Sequence, residues 1–381
     1  MKKYLLLGVI SATLFASCLK SKDDEPPPPP PGNGSQTSFD WPAIADSSSQ
    51  SLNQFWSASG NFFRASNTST DWAQYWPNAH GLDVLVDAYI RTNKSGTVKA
   101  QMDAFLTGVR AKNGNTWINH FYDDMEWMAL ACLRAYDTTK DEAYKNITNL
   151  LWNDIKNGWS TELFGGIWWN KDNGSKNAPS NLPAAILAAR LYQRFNDPND
   201  LQWATDIYNW VKSNLYESTT GLVYDHIEKN GNKNTTWKFT YNQGTFIGAA
   251  LELFKITGNP SYMADAIKAA DYTLNSGFLT SNGILKDENG GDGGLFKGVF
   301  VRYFTRLIIE GSLDSGKKAS YLNFMVNNAK TLWTKGTNKN QVLFNSGWDK
   351  MPGTTVDFTV QLSGVMLMEA MAEFKRRSMV E

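Results

Sequence analysis

Hydrophobic positions in this chain fall into two alternating kinds of run. One kind is apolar nearly all round: residues 81–90, 128–136, 184–195, 246–256, 299–309 and 358–374. The other carries apolar residues on one helical face: 51–65, 98–111, 141–156, 200–214, 261–275 and 317–333. A helix apolar on every side belongs inside a protein and an amphipathic one outside. The pattern therefore predicts six inner and six outer helices in alternation. It also has a period: Tyr144, Trp203, Tyr262 and Tyr321 stand 59 residues apart. Turn signals precede three of them, Asp137-Thr138-Thr139, Asn196-Asp197-Pro198 and Thr257-Gly258-Asn259-Pro260, and Gly311-Ser312 with Gly316 precedes the fourth. Repeated helical hairpins either stack as an open solenoid or close into a ring. No capping repeat is evident, so the expectation is an all-α fold, an (α/α)6 toroid.

Gly/Asn/Trp-rich segments lead into the inner runs at 158–181, 221–240, 277–298 and 344–357. Their alternation predicts short β-hairpins, for example 221–224 with 236–239. The period places Asp123, Leu182, Tyr241 and Phe300 in register where inner helices begin. Those beginnings are expected to share one mouth of the ring, with the loops around it carrying the site.

The N-terminus reads as an address. Lys2 and Lys3, a short apolar stretch and Ala16-Ser17 make residues 1–17 a secretory signal, too short for a permanent bilayer span. Cys18 is next, and Phe15-Ala16-Ser17-Cys18 resembles a bacterial lipobox, in which the Cys is acylated. Residues 18–38 hold a charged stretch and six consecutive prolines, a tether that cannot build a core. Its acidic part resembles the export tag of surface-exposed Gram-negative lipoproteins. The expectation is an outer-membrane lipoprotein, anchored through Cys18 and facing the cell surface, with a periplasm-facing position left open. The folded domain is then 39–381.

Charge narrows the partners. Lys plus Arg equals Asp plus Glu at 37 each, which argues against nucleic acid. Three His and two Cys exclude a dense metal or disulfide framework, so no cofactor or metal is expected. Cys132 reads as a small core residue. The 15 Trp, 15 Tyr and 20 Phe suit a core and carbohydrate faces equally.

The mouth would gather Tyr122-Asp123-Asp124-Met125-Glu126-Trp127, Trp168-Trp169-Asn170-Lys171, Lys176-Asn177, Tyr241-Asn242-Gln243-Gly244 and Phe296-Lys297-Gly298-Val299-Phe300-Val301-Arg302. Amides and charges bind hydroxyls, and rings stack on sugar faces. Asp123 with Glu126 also fits a helix capping box. Two adjacent carboxyls are more than a cap requires. Like charges side by side raise one pKa and leave the other group ionised, the split that glycoside hydrolysis uses. Consecutive Cα atoms about 3.8 Å apart favour the ~5 Å carboxyl separation of a retaining pair, although divergent rotamers leave the inverting gap open. The run Asp287-Glu288-Asn289-Gly290-Gly291-Asp292-Gly293-Gly294 reads as a flexible lid before it reads as a calcium loop. His80, His120 and His226 lack metal spacing and read as structural or hydrogen-bonding.

The chain resembles glycoside hydrolase family 76, the endo-α-1,6-mannanases. The matching pieces are residues 122–127 with Ala129 and Ala131, Gly165-Gly166-Ile167-Trp168-Trp169, Lys176-Asn177-Ala178, Tyr241-Asn242-Gln243-Gly244, Asn282-Gly283-Ile284-Leu285 and residues 296–303. They lie in order across most of 70–305. The resemblance implies an (α/α)6 fold and retaining hydrolysis of the α-1,6-mannan backbone. It implies Asp123 as nucleophile and Asp124 as acid/base. It places Trp168 and Trp169 as stacking platforms and Tyr241, Gln243, Lys297 and Arg302 at the sugar sites, with Asn177 and Asn242 among the substrate-binding set. Lys297 and Arg302 could equally hold carboxylates in place. The expected partner is α-mannan or its oligosaccharides, met by a monomer. Three rivals stay open: a transglycosylase using the same pair, a non-catalytic glycan-binding lipoprotein, and a toroid enzyme acting on uronates.

Overall fold

The apolar runs become helices that close on themselves. The computed structural model describes residues 38–381, and Phe39–Glu381 packs as one unit. The signal (1–17), Cys18 and nearly all of the tether (18–38) lie outside the described residues. Among those described stand twelve α-helices: α1 (Trp41–Ser51), α2 (Tyr75–Arg91), α3 (Gly96–Lys112), α4 (Tyr122–Thr139), α5 (Glu142–Ile155), α6 (Leu182–Phe195), α7 (Pro198–Asn214), α8 (Thr240–Thr257), α9 (Pro260–Asn275), α10 (Gly293–Glu310), α11 (Ser315–Thr334) and α12 (Phe358–Arg376). The even-numbered helices from α2 to α12 each pack on the next, and α12 packs back on α2. The outer ring is α3 on α2, α5 on α4, α7 on α6, α9 on α8, α11 on α10 and α12, and α1 on α12. The first helix thus seals the ring against the last. The fold is an (α/α)6 toroid.

The two helix types bury surface as their sequences require. Every residue of α12 from 358 to 372 is buried. In α5 the buried set is Tyr144, Ile147, Thr148, Leu151, Trp152 and Ile155, one stripe at helical spacing. Each large apolar side chain so buried stabilises by roughly 1.5–3 kcal/mol. The turns between partners repeat one device. Lys140, Asn196 and Gly258 end α4, α6 and α8 in the left-handed region. Asp141, Asp197 and Asn259 then cap the next helices, accepting from Ala143 N, Asn199 N and Ser261 N at 3.0, 2.9 and 3.0 Å. Such caps contribute about 1 kcal/mol each.

Two expectations about elements are corrected. Residues 51–65 are not an outer helix. The helix is α1, ten residues earlier, started by Asp40 accepting from Ala43 N at 3.1 Å and by Pro42 in its first turn. Beyond α1 the chain turns back as a hairpin, β1 (Trp56–Ser57) with β2 (Phe62–Phe63). Nor do 221–224 and 236–239 pair. Instead β3 (Ser175–Asn177) pairs with β4 (His226–Glu228), joining the loops before α6 and α8. Two local hairpins complete the set: β5 (Thr280–Ser281) with β6 (Ile284–Leu285), and β7 (Thr337–Asn338) with β8 (Leu343–Phe344).

Buried amides clamp these loops to the ring. Asn78 bonds both the N–H and C=O of Phe63, Asn181 those of Ile167, and Gln243 those of Val223. Asn328 and Gln361 hold the loops at Leu285 and Phe344. Each side-chain amide completes backbone hydrogen bonds that a strand would otherwise supply. The loops at the mouth therefore rest on a fixed frame.

Candidate active site

Asp123 and Asp124 occupy the first turn of α4. The loop before α6 is pinned against that turn: Tyr122 N donates to Trp169 O at 2.9 Å, and Lys171 N to His120 O at 3.1 Å. This brings Trp169 Nε1 to 3.2 Å from Asp123 Oδ2. The backbone N–H of Asp124 donates to Asp123 Oδ1 at 3.0 Å. Asp123 thus has two donors. The Asp124 carboxyl has no hydrogen-bonding partner among the described residues. The cap of α4 is Phe121, with no side-chain bond, so Asp123 and Glu126 do not form a capping box. Glu126 lies buried behind the pair, and burial holds its carboxyl well above the usual range.

The same asymmetry orders the titration. Removal from water pushes Asp123 up to about 7, while the bonds from Asp124 N–H and Trp169 pull it down and Asp292 repels it. Asp124 lies well above the usual range through the same loss of solvent, with like charges at Asp123 and Asp292 adding to it. The two hydrogen bonds favour the anion at Asp123, and the Asp124 carboxyl has no such donor to stabilise its charge.

The pair opens into a cavity of about 560 Å³. Trp76 from α2, Trp127 from α4, and Trp169, Asn177 and Pro179 before α6 line one part of it. Asp225, His226, Trp237, Phe239 and Tyr241 line another, and Asp292 and Phe296 of the α10 segment complete the wall. Trp169 is 36% exposed. The Tyr241 ring stacks on Phe296 at 3.9 Å, and its hydroxyl donates to Asp225 at 3.0 Å. Asp225 also accepts from Asn242 at 3.0 Å and lies 2.7 Å from His226 Nδ1. That contact is the main cause raising the His226 pKa.

Among the substrate-binding residues expected from sequence, Trp169, Asn177 and Tyr241 line the cavity. Asn242 is buried behind it, holding Asp225. Gln243 is the clamp on Val223 and does not reach the cavity. Trp168 points the other way, 2% exposed beneath the Lys176 ammonium at 4.6 Å. Of the two Trp, only Trp169 therefore has a face open to the cavity.

Lys297 and Arg302 are also displaced, because α10 begins at Gly293 and both residues lie within the helix. Lys297 is buried and donates to Lys286 O and Ser346 O, and burial lowers its pKa to about 8. Arg302 lies nine residues along α10, about 14 Å from its start. There it pairs with Asp83 and Asp87 of α2, as does Arg134 of α4. It holds carboxylates away from the mouth.

Asp225, Trp76, Trp237 and Asp292 also line the cavity, beyond the residues expected there from sequence. The Gly-rich run supplied the last of these. Its carboxylates diverge: Glu288 accepts from Thr240 N at 2.8 Å, and Asp292 accepts from Trp76 Nε1 at 2.9 Å. The run is thus a wall of the site.

A helical toroid with paired carboxyls in an aromatic-lined mouth has the parts a glycosidase uses. Residues 41–380 match the family model described as Glycosyl hydrolase family 76, and the chain belongs to that family. The GH76A alpha-1,6-mannanase of Salegentibacter sp. HEL1_6 is 44% identical, with TM-score 0.85 over 88% of this chain and 99% of that one. An inactive variant of that enzyme, with two adjacent Asp changed to Asn, has been solved with alpha-1,6-mannotriose. The Lin0763 protein of Listeria innocua is 35% identical, with TM-score 0.81 over 89% of this chain and 99% of that one. The mannan endo-1,6-alpha-mannosidase of Candida glabrata is 32% identical over 153 residues, 36% of this chain and 34% of that protein. The chain thus spans only about a third of that curated relative's length.

Proposed function

We propose that this protein is a retaining endo-α-1,6-mannanase. The observation that carries the reading is the unequal hydrogen bonding of the two aspartates, one prepared as an anion and one kept as an acid. Asp123 attacks the anomeric carbon while Asp124 gives its proton to the departing glycosidic oxygen. The bond to that oxygen breaks and a mannosyl ester forms on Asp123. Asp124, now a carboxylate, takes a proton from water, whose oxygen attacks the same carbon and releases Asp123. Trp169 orients Asp123 and offers its exposed face to a sugar. The mannanase with 44% identity and its mannotriose complex support the substrate class.

The time course of products from debranched α-1,6-mannan tests this reading. Medium-length oligosaccharides are expected early; mannose or mannobiose alone from the first minutes would refute endo action. Dominance of products longer than an added acceptor would replace hydrolysis with transglycosylation.

The pH profile carries a second expectation. Turnover needs Asp123 ionised and Asp124 protonated, so kcat/KM rises with pH through the neutral region and falls as Asp124 loses its proton. Trp169→Phe keeps the ring and removes a donor to the carboxylate form. The acid limb of kcat/KM should then move about one pH unit higher. An unmoved limb would mean that the indole does not tune Asp123.

The proposal extends to location. The lipobox-like sequence, the acidic tag and the tether support an outer-membrane lipoprotein acting on mannan at the cell surface. Changing Cys18→Ser should move the protein from the membrane to the soluble fraction; retention in the membrane would contradict a lipid anchor at Cys18.

A further inference from the structure

The loop that brings Trp169 to Asp123 begins on the outside of the ring with a strained turn. Leu163, Phe164, Gly165 and Gly166 have φ of 53°, 65°, 112° and 86° in succession. Left-handed backbone at a Leu and a Phe costs about 1–2 kcal/mol each and survives only where the surroundings enforce it. Here they do. The ammonium of Lys176 donates to Ser160 O, Glu162 O and Gly165 O at 3.1, 2.6 and 2.6 Å. Trp210 Nε1 donates to Leu163 O at 2.9 Å. The two glycines lie flat on indoles: a Cβ on Gly165 would stand 2.9 Å from Trp159, and one on Gly166 2.6 Å from Trp210.

The product of this strain is display, for Phe164 is 92% exposed. Beside it lies a recess of about 430 Å³, walled by Trp159, Trp210 and one face of α7. Asp206, Asn209 and Ser213 succeed one another along that face. Asp206 accepts one bond, from Gln202. The side chains of Asn209 and Ser213 have no hydrogen-bonding partner among the described residues.

We infer that this recess is a second, non-catalytic carbohydrate site, which takes a pyranose segment of the same α-mannan that the cleft cuts. The inference rests on the function proposed above. Phe164 offers an apolar platform for a sugar face, and the carboxylate, amide and hydroxyl beside it match sugar hydroxyls. None of the residues lining the recess is basic, as suits a neutral polymer. Phe164 and Trp169 are five residues apart on one loop, so their Cα atoms are separated by at most about 18 Å. A polymer held at the recess is thereby kept near the cleft at raised local concentration. A short oligosaccharide that fills the cleft gains nothing from it.

Two readouts test the site. The first compares kcat/KM on α-1,6-mannotetraose and on debranched mannan for the full chain and for Phe164→Ala. The variant should lose about two- to tenfold on the polymer and nothing on the tetrasaccharide. The second measures retardation by mannan in native gels for chains carrying Asp123→Asn, with and without Phe164→Ala or Asn209→Ala. Either added substitution should weaken retardation. Equal losses on both substrates would overturn the inference, as would unchanged polymer kinetics with unchanged retardation. The latter result would leave the platform as a contact for another protein. Should the unsubstituted chain cleave neither substrate, the functional proposal fails, and the retardation comparison still decides whether the recess binds mannan.

Discussion

Replacing Asp123 with Asn should lower mannan turnover by roughly four to six orders of magnitude, the scale on which a nucleophile working as a unit with its proton donor is lost. The amide is close in size to the carboxylate, so the fold and sugar binding should survive. Asp124→Asn should cost about a hundred- to ten-thousandfold on mannan, the usual contribution of a positioned general acid. The two variants should also fail differently. An aryl mannoside with an acidic leaving group needs no proton from residue 124. On that substrate Asp124→Asn should release a rapid burst of the aryl alcohol and then stall, with a mannosyl ester accumulating on Asp123. Asp123→Asn should show no burst. Mass spectrometry of the stalled protein locates the ester. Ordinary turnover of mannan by either variant would contradict the assignment.

Arg302→Ala should destabilise the protein by about 3–5 kcal/mol while leaving the chemistry intact. The guanidinium bridges Asp83 at 2.5 Å and Asp87 at 2.6 Å, and all three side chains are largely shielded from solvent. Removing one partner of such a group leaves buried charge uncompensated. Burial alone would raise the Asp87 carboxyl; Arg302 and Arg134 outweigh it and hold the group well below the usual carboxylate range. A carboxyl depressed in this way adds its full stability above its unfolded pKa and loses it progressively as pH falls from there through the folded value. The ion pairs themselves should therefore persist in the folded protein until the solution is strongly acidic, while their contribution to stability shrinks from about pH 4 downward. Urea unfolding supplies the stability change, and kinetics at a temperature where the variant stays folded supply the rest. A raised KM with unchanged stability would return Arg302 to the sugar site.

Arg302 also shows how far the sequence can be read. The alternation of all-round and one-sided apolar runs made the ring legible, because a toroid of helical pairs has no other way to divide its surface. The same period misled at α10. The starts of α4, α6 and α8 are 60 and 58 residues apart, but α10 starts only 53 after α8. Residues expected at the mouth thus moved down the helix. The first outer helix, α1, lies ten residues before the expected run for a different reason. Phe55, Trp56, Phe62 and Phe63 give 51–65 an apolar content that a helix or a hairpin could use, and the turn at Asn61, with φ of 57°, decides for the hairpin.

In the site, Asp123 and Asp124 were legible because adjacent carboxyls at a helix start are chemically unusual. Asp225 and Asp292 were not. Asp225 reaches the cavity because two distant loops pair as β3 and β4, and Asp292 because Trp76, far away in sequence, anchors it. No local pattern encodes such meetings. The Trp168-Trp169 pair falls between these cases. Both rings were expected at the mouth; Trp169 lines the cavity and Trp168 is buried beneath Lys176, a difference set by tertiary packing and not by the local sequence.

The most direct test of the account is the anomeric configuration of the first product. Proton NMR of debranched α-1,6-mannan, recorded within the first minutes after adding the 39–381 unit, resolves new reducing ends before they mutarotate. With a mannosyl ester on Asp123, the α-anomer appears first and the β-anomer emerges later at the slower rate of mutarotation. Initial release of the β-anomer would contradict a mannosyl ester on Asp123, and no new reducing ends at all would contradict the mannanase itself.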